Sequence, residues 1–176
     1  MKKSIRSNTK IKSSEQSHEL EADPSKIRAI ARKQRLLRDR VLRVIKQLTG
    51  INDLEPDDDG DLSVMFREIP LYLMVRSDPP RMQFLSPILT HVQEKNLELL
   101  TRINTINSLE PRLQVFLAKD CVYAKREIRL YPFHRDQISN TLMDFSNAAE
   151  SAKASLDMAY LDSKGNPGII LSSAIH

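Results

Sequence analysis

The chain has 176 residues, 40% hydrophobic and 28% charged, enough to bury a core without covalent staples and ordinary for a globular domain. A single cysteine, Cys121, excludes an internal disulfide framework and suits a reducing compartment, so a cytoplasmic location is expected. The net charge of +4 is unevenly spread: residues 1–48 carry 14 Lys/Arg against 5 Asp/Glu, and residues 49–176 carry 13 against 18. A basic arm is thus joined to an acidic body.

Residues 1–24 are rich in Lys, Ser and Glu and poor in large apolar side chains. They read as a disordered basic tail, because so little apolar surface does not offset the entropy of ordering. The start MKKSIRSNTK has the charge of a secretory n-region, but no apolar h-region follows, so no signal peptide is expected. The longest apolar run, Ile69 to Val75, is too short to span a bilayer.

From Lys26 to about Thr49, Ile27, Ile30, Leu37, Val41, Val44, Ile45 and Leu48 recur at three- and four-residue steps. That spacing predicts an amphipathic helix stopped by Gly50. A meander follows. The Asp59-Gly60 turn precedes Leu62, Val64 and Phe66 in alternation, then Ile69, Leu71, Leu73 and Val75, then a strand near Arg81–Leu85 after Asp78-Pro79-Pro80. Pro70 implies an edge, a bulge or a strand start. Thr90 is placed to cap a second helix striped by Val92, Leu97, Leu100, Ile103 and Ile106. Strands near Arg112–Ala118 and Cys121–Leu130 flank a tight turn at Lys119-Asp120. A last helix runs from about Arg135 to Leu161, with Ile138, Leu142, Phe145, Ala149, Ala152, Leu156 and Ala159 inward. Residues 162–176 form a tail that frays, although IILSSAI could dock as a strand. The expected order, α-β-β-β-α-β-β-α over residues 25–161, is an α+β domain: an antiparallel five-stranded sheet flanked by helices.

Three constellations invite chemistry. The acidic cluster Asp53, Glu55, Asp57, Asp58, Asp59 and Asp61 fails as a calcium loop: with Gly60 sixth, Glu55 is first and Phe66 last. It reads as a solvated hairpin turn, and no metal or other cofactor is expected. Cys121 and His134 lack the local motif and orienting partner of a nucleophile and base, so a non-enzyme is expected. The basic helix 26–46 sets nine Lys/Arg against Asp39 alone. Arg32, Arg35 and Arg38 could track phosphates or an anionic surface, the alternative function of this chain. It has no aromatic residues for stacking and no known DNA-binding pattern.

The meander offers a different surface. If Ile69, Leu71, Leu73 and Val75 face the helices, Tyr72, Met74 and Met65 point away, and Leu85 and Phe116 can join them. Methionine and aromatic side chains on an open sheet face make an adaptable docking surface, or one that packs under a helix or in a dimer.

The run DGDLSVMFREIPLYLMVRSDPPRMQFLSPIL, the helix EKNLELLTRINTIN, the hairpin LQVFLAKDCVYAKREI and the helix HRDQISNTLMDFSNAAESAKASLDMAYL together resemble the YbjN-like and type III secretion chaperone-like family of bacterial proteins. The likeness covers Gly60 to Leu161 and rests on the strand-turn pattern, the DPP…SP spacing and the element order. It implies a secretion-chaperone sandwich, commonly a homodimer, that presents apolar patches to an extended protein or peptide client. Tyr72, Met74, Leu85 and Phe116 are then the candidate client contacts. The second helix (Leu97, Leu100, Ile103) and neighbouring strand edges are the candidate two-fold interface. The basic arm, Met1–Arg43, departs from the family, and the resemblance carries over no catalytic residue.

Overall fold

The computed structural model describes residues 24–92 and 97–165. Helix α1 spans Pro24–Thr49 and is followed by strands β1 (Leu62–Phe66), β2 (Ile69–Ser77) and β3 (Pro80–Thr90). Helix α2 (Leu97–Leu109), strands β4 (Gln114–Ala118) and β5 (Cys121–Arg129) and helix α3 (Arg135–Gly165) complete the order. The five strands form one antiparallel sheet in the order β1-β2-β3-β5-β4. The expected α+β class and element order both hold.

Local chemistry accounts for the boundaries. Gly50 takes φ +74° and its amide bonds the Lys46 carbonyl at 2.9 Å, closing α1 where a side chain would be strained. The β1–β2 hairpin turns on Arg67 and Glu68, both with positive φ (50° and 67°), the two-residue turn that matches strand twist. The turn foreseen at Asp59-Gly60 is not a hairpin. It lies in the loop between α1 and β1, where Asp57 Oδ1 accepts the amides of Asp59 and Asp61 at 3.1 and 2.8 Å. Gly60 does need positive φ (+79°), and a Cβ there would run into the Arg38 guanidinium. Pro70 sits at the start of β2, ahead of the β2–β3 ladder that begins at Tyr72 and Leu85, so its missing amide breaks no bond to β3.

Two elements differ from expectation. β3 extends to Thr90 because a bulge between Pro87 and Leu89 restores pairing with β5; Ile88 and Leu89 then both reach the core. Thr90 therefore ends a strand instead of capping a helix. α3 continues to Gly165, past Leu161. The expectations for residues 1–23 and 166–176 lie outside the described residues.

All three helices pack on one side of the sheet. Val41, Val44 and Ile45 of α1, Leu99 and Ile103 of α2, and Ile138, Leu142, Phe145, Ala149 and Leu156 of α3 are buried there. They meet Leu62, Val64, Leu71, Leu73, Val75, Met82, Phe84, Val122 and Ala124 of the sheet in one core. Each large side chain buried this way contributes about 1.5–3 kcal/mol of transfer free energy. Among the described residues, no helix is long and apolar enough to cross a membrane.

Candidate functional site

Because strand side chains alternate, fixing one set of them in the core turns the other set to the opposite face of the sheet. Among the described residues no helix packs on that second face, and its composition changes along the strands. Ser63, Tyr72, Leu85, Lys125 and Gln114 are register partners in one row across all five strands. A neighbouring row holds Met65 and Pro70 on β1 and β2, and Pro87, Tyr123 and Phe116 on β3, β5 and β4. On the opposite side of the Tyr72 row lie Met74 and Gln83, register partners whose side chains touch at 3.7 Å.

The four anticipated contacts thus share one face. Tyr72 is 45% exposed and Met65 59%, while Met74, Leu85 and Phe116 are half-buried by their strand neighbours. Tyr72 pairs directly with Leu85; Phe116 lies two strands beyond Leu85 and stacks on Tyr123 with ring centroids 5.6 Å apart. Tyr123 was not singled out from the sequence, although alternation in CVYAKREI places it opposite the buried Val122 and Ala124. A hydrogen bond from the Tyr123 phenol to the Cys121 sulfur, and then the Coulombic effect of that group, hold the phenol above its ordinary pKa.

The sheet has two edges, and they differ. On β4, the Asn107 side chain from α2 accepts the Val115 amide at 2.7 Å and donates to the Val115 carbonyl at 2.8 Å. The Leu113 amide is held by the Glu110 carbonyl at 3.0 Å. One carboxamide occupies both outward backbone groups of Val115, at the middle of this edge, while those of Leu117 lie beyond its reach. Asn107→Ala leaves both Val115 groups unpaired and should cost about 1–3 kcal/mol in urea unfolding. It should also raise self-association on sizing columns, because an unblocked edge pairs with other chains. Unchanged stability and size would show that Asn107 does not seal this edge.

On β1 the pair flanking the two-residue turn, Phe66 and Ile69, is hydrogen-bonded, so Val64 and Leu62 are too. Ser63 and Met65 then point their amides and carbonyls outward. Asp61, next in that outward set, is already satisfied by Asp57 through both its amide and its carbonyl. Among the described residues nothing satisfies Ser63 and Met65, so this edge keeps two successive positions open to strand addition.

The remaining expectations divide. Arg32 and Arg35 are exposed on α1, whereas Arg38 is half-buried against Gly60. Ile103 is only 5% exposed and belongs to the chain's own core, so it does not face a second copy; Leu97 (76%) and Leu100 (37%) do face solvent. The expected α2 stripe is corrected accordingly: Leu99 and Ile103 form its buried side. Cys121 is buried at the start of β5, and His134 is exposed ahead of α3. Among the described residues, no group of three His, Cys, Asp or Glu side chains could hold a metal.

One apolar cleft escaped sequence reading. Leu36 and Leu37 of α1, Pro80, Leu130, Tyr131 and Phe133 line a cavity of ≈ 590 Å³, within the size range of small-molecule clefts. Arg40 lies over the Phe133 ring, 5.9 Å from its centroid.

A two-layer sandwich with an open five-stranded face that carries an apolar patch defines a binding protein of the secretion-chaperone architecture. The chain belongs to the family described as T3SS (YopN, CesT) and YbjN peptide-binding chaperone 1, whose model matches residues 35–159. Among solved structures it is similar to a chain of the ExsC–ExsE complex, with a TM-score of 0.53, 17% identity, and 71% of this chain and 93% of that chain covered. It is also similar to a chain of the HopA1–SchA chaperone–effector complex, with a TM-score of 0.54, 13% identity, and 68% and 94% covered. At these identities the two likenesses establish the fold. No curated protein sequence matches the chain.

Proposed function

We propose that this chain is a non-catalytic cytoplasmic chaperone or adaptor that holds an extended client segment on its open sheet face. The observation that carries this reading is the uncovered row Tyr72–Leu85 with Met65, Tyr123 and Phe116 beside it. Membership of a peptide-binding chaperone family supports it, as does the naming of one similar structure as a chaperone–effector complex. Tyr72, Met74, Leu85 and Phe116 supply side-chain contacts, and the Ser63 and Met65 backbone groups take an added strand. Nothing in the fold or the similar structures favours the nucleic-acid alternative.

Amide hydrogen exchange on the full chain with and without a retained client tests the edge. The Ser63 and Met65 amides should gain protection of at least about tenfold, since each passes from water to a ladder hydrogen bond. Protection confined to the helices would overturn strand addition at β1.

The same reading includes a homodimer formed through the outer face of α2, where Leu97 and Leu100 are exposed. Sedimentation of the wild type should show twice the monomer mass, and Leu97→Asp with Leu100→Asp should halve it. A monomeric wild type would remove the dimer.

A further inference from the structure

The open face is not apolar throughout. Arg76, Arg81 and Arg129 are register partners on three adjacent strands, β2, β3 and β5, forming a row of three guanidinium groups. They share the open face with Tyr72, Leu85 and Lys125, each exactly four residues away along its own strand, about 13 Å at strand rise. Like charges set directly opposite on neighbouring strands destabilise a sheet. The chain answers this repulsion only in part. Arg76 meets Asp61 at 3.2 Å and Arg81 meets Glu127 at 3.1 Å, each through a single nitrogen. Arg129 makes no ion pair among the described residues, and neither does the exposed Asp78 at the hairpin tip. The Arg76 and Arg81 side chains stay 51% and 42% exposed. Most of the guanidinium donors in the row are therefore directed to solvent on a body whose net charge is negative.

We propose that this arginine row is an acidic-residue subsite of the client face, so that the preferred client is an extended segment with apolar residues followed, four positions on, by Asp or Glu. The proposal rests on the open-face reading above. In an extended segment, residues i, i+2 and i+4 point the same way, so apolar side chains over Tyr72 and Leu85 and a carboxylate over Arg81 and Arg129 belong to one side of one strand. A carboxylate there gains charge-assisted, fork-like hydrogen bonds from arginine and relieves the like-charge row. Between the two ends lie Met74 and Gln83 and, as the register partner of Gln83 on β5, Glu127, whose carboxylate is turned to Arg81.

The test uses two labelled peptides and the full chain. One is Gly-Leu-Ser-Phe-Ser-Val-Thr-Asp-Ser-Asp-Gly; the other replaces both Asp by Asn. By fluorescence anisotropy the acidic peptide should bind about tenfold tighter, the scale of one or two charge-assisted hydrogen bonds. In Arg81→Gln with Arg129→Gln the preference should disappear and the melting temperature should hold or rise, because a repulsion has been removed. Equal binding of the two peptides, both lost in Tyr72→Asp with Met74→Asp, would overturn the arginine subsite and leave the open-face reading standing. Binding of neither peptide would overturn both. A labelled DNA duplex that bound as tightly as the acidic peptide would overturn peptide selectivity in favour of a general polyanion surface. A lowered melting temperature with the peptide preference intact would make the row structural.

Discussion

Replacing Tyr72 and Met74 together by Asp should reduce client affinity at least about 100-fold while the protein remains folded. Both side chains lie on the sheet face that no helix covers among the described residues, with Tyr72 45% exposed. Two carboxylates placed there stay solvated in the free protein, and stability should fall by less than about 1 kcal/mol. On binding they must lose water against an apolar client without a partner, a cost of several kcal/mol. Co-purification of client with wild type and double variant, beside matched thermal melts, measures both halves. A folded double variant that retains its client would exclude this part of the face.

Phe145→Ala should have the largest effect on stability, about 3–5 kcal/mol in urea unfolding. Phe145 is fully buried on α3 and meets Phe84 of β3 with ring centroids 5.7 Å apart. That contact lies where the long last helix crosses the sheet, so truncation opens a cavity between the layers. Domains of this size are stable by only about 5–15 kcal/mol, so the variant should lie close to its unfolding midpoint under mild conditions. A loss below about 1 kcal/mol would show that α3 does not pack on β3 as described. The same substitution leaves the open face untouched, so it separates loss of fold from loss of binding.

Much of this architecture was legible because it follows from periodicity. Alternation in Ile69–Val75 separates core from open face without any knowledge of tertiary structure, and it placed Tyr72 and Met74 correctly on the uncovered side. Three-and-four spacing located α1 and α3. What failed depended on contacts between segments distant in sequence. Asp59-Gly60 has hairpin chemistry, yet Asp57 uses it to close a loop under Arg38. The α2 stripe allows two phases, and packing against α3 and β4 selects the one through Leu99. The bulge that lengthens β3 is set by pairing with β5. The seal on β4 and the arginine row are also register facts. Asn107 is eight residues from Val115 in sequence, and the three arginines span Arg76 to Arg129, so neither grouping shows before the strands are aligned.

The central claim is that clients ride on the open face, and site-specific photo-crosslinking in the producing cell tests it most directly. Benzoylphenylalanine would replace Tyr72 or Phe116 on that face, Tyr131 at the α1 cleft, and Lys153 on the outer side of α3. The account predicts client adducts from the Tyr72 and Phe116 positions, weaker or absent ones from Tyr131, and none from Lys153. Adducts from Tyr131 or Lys153 with none from Tyr72 and Phe116 would contradict it, and would move client binding to the helical side of the sandwich.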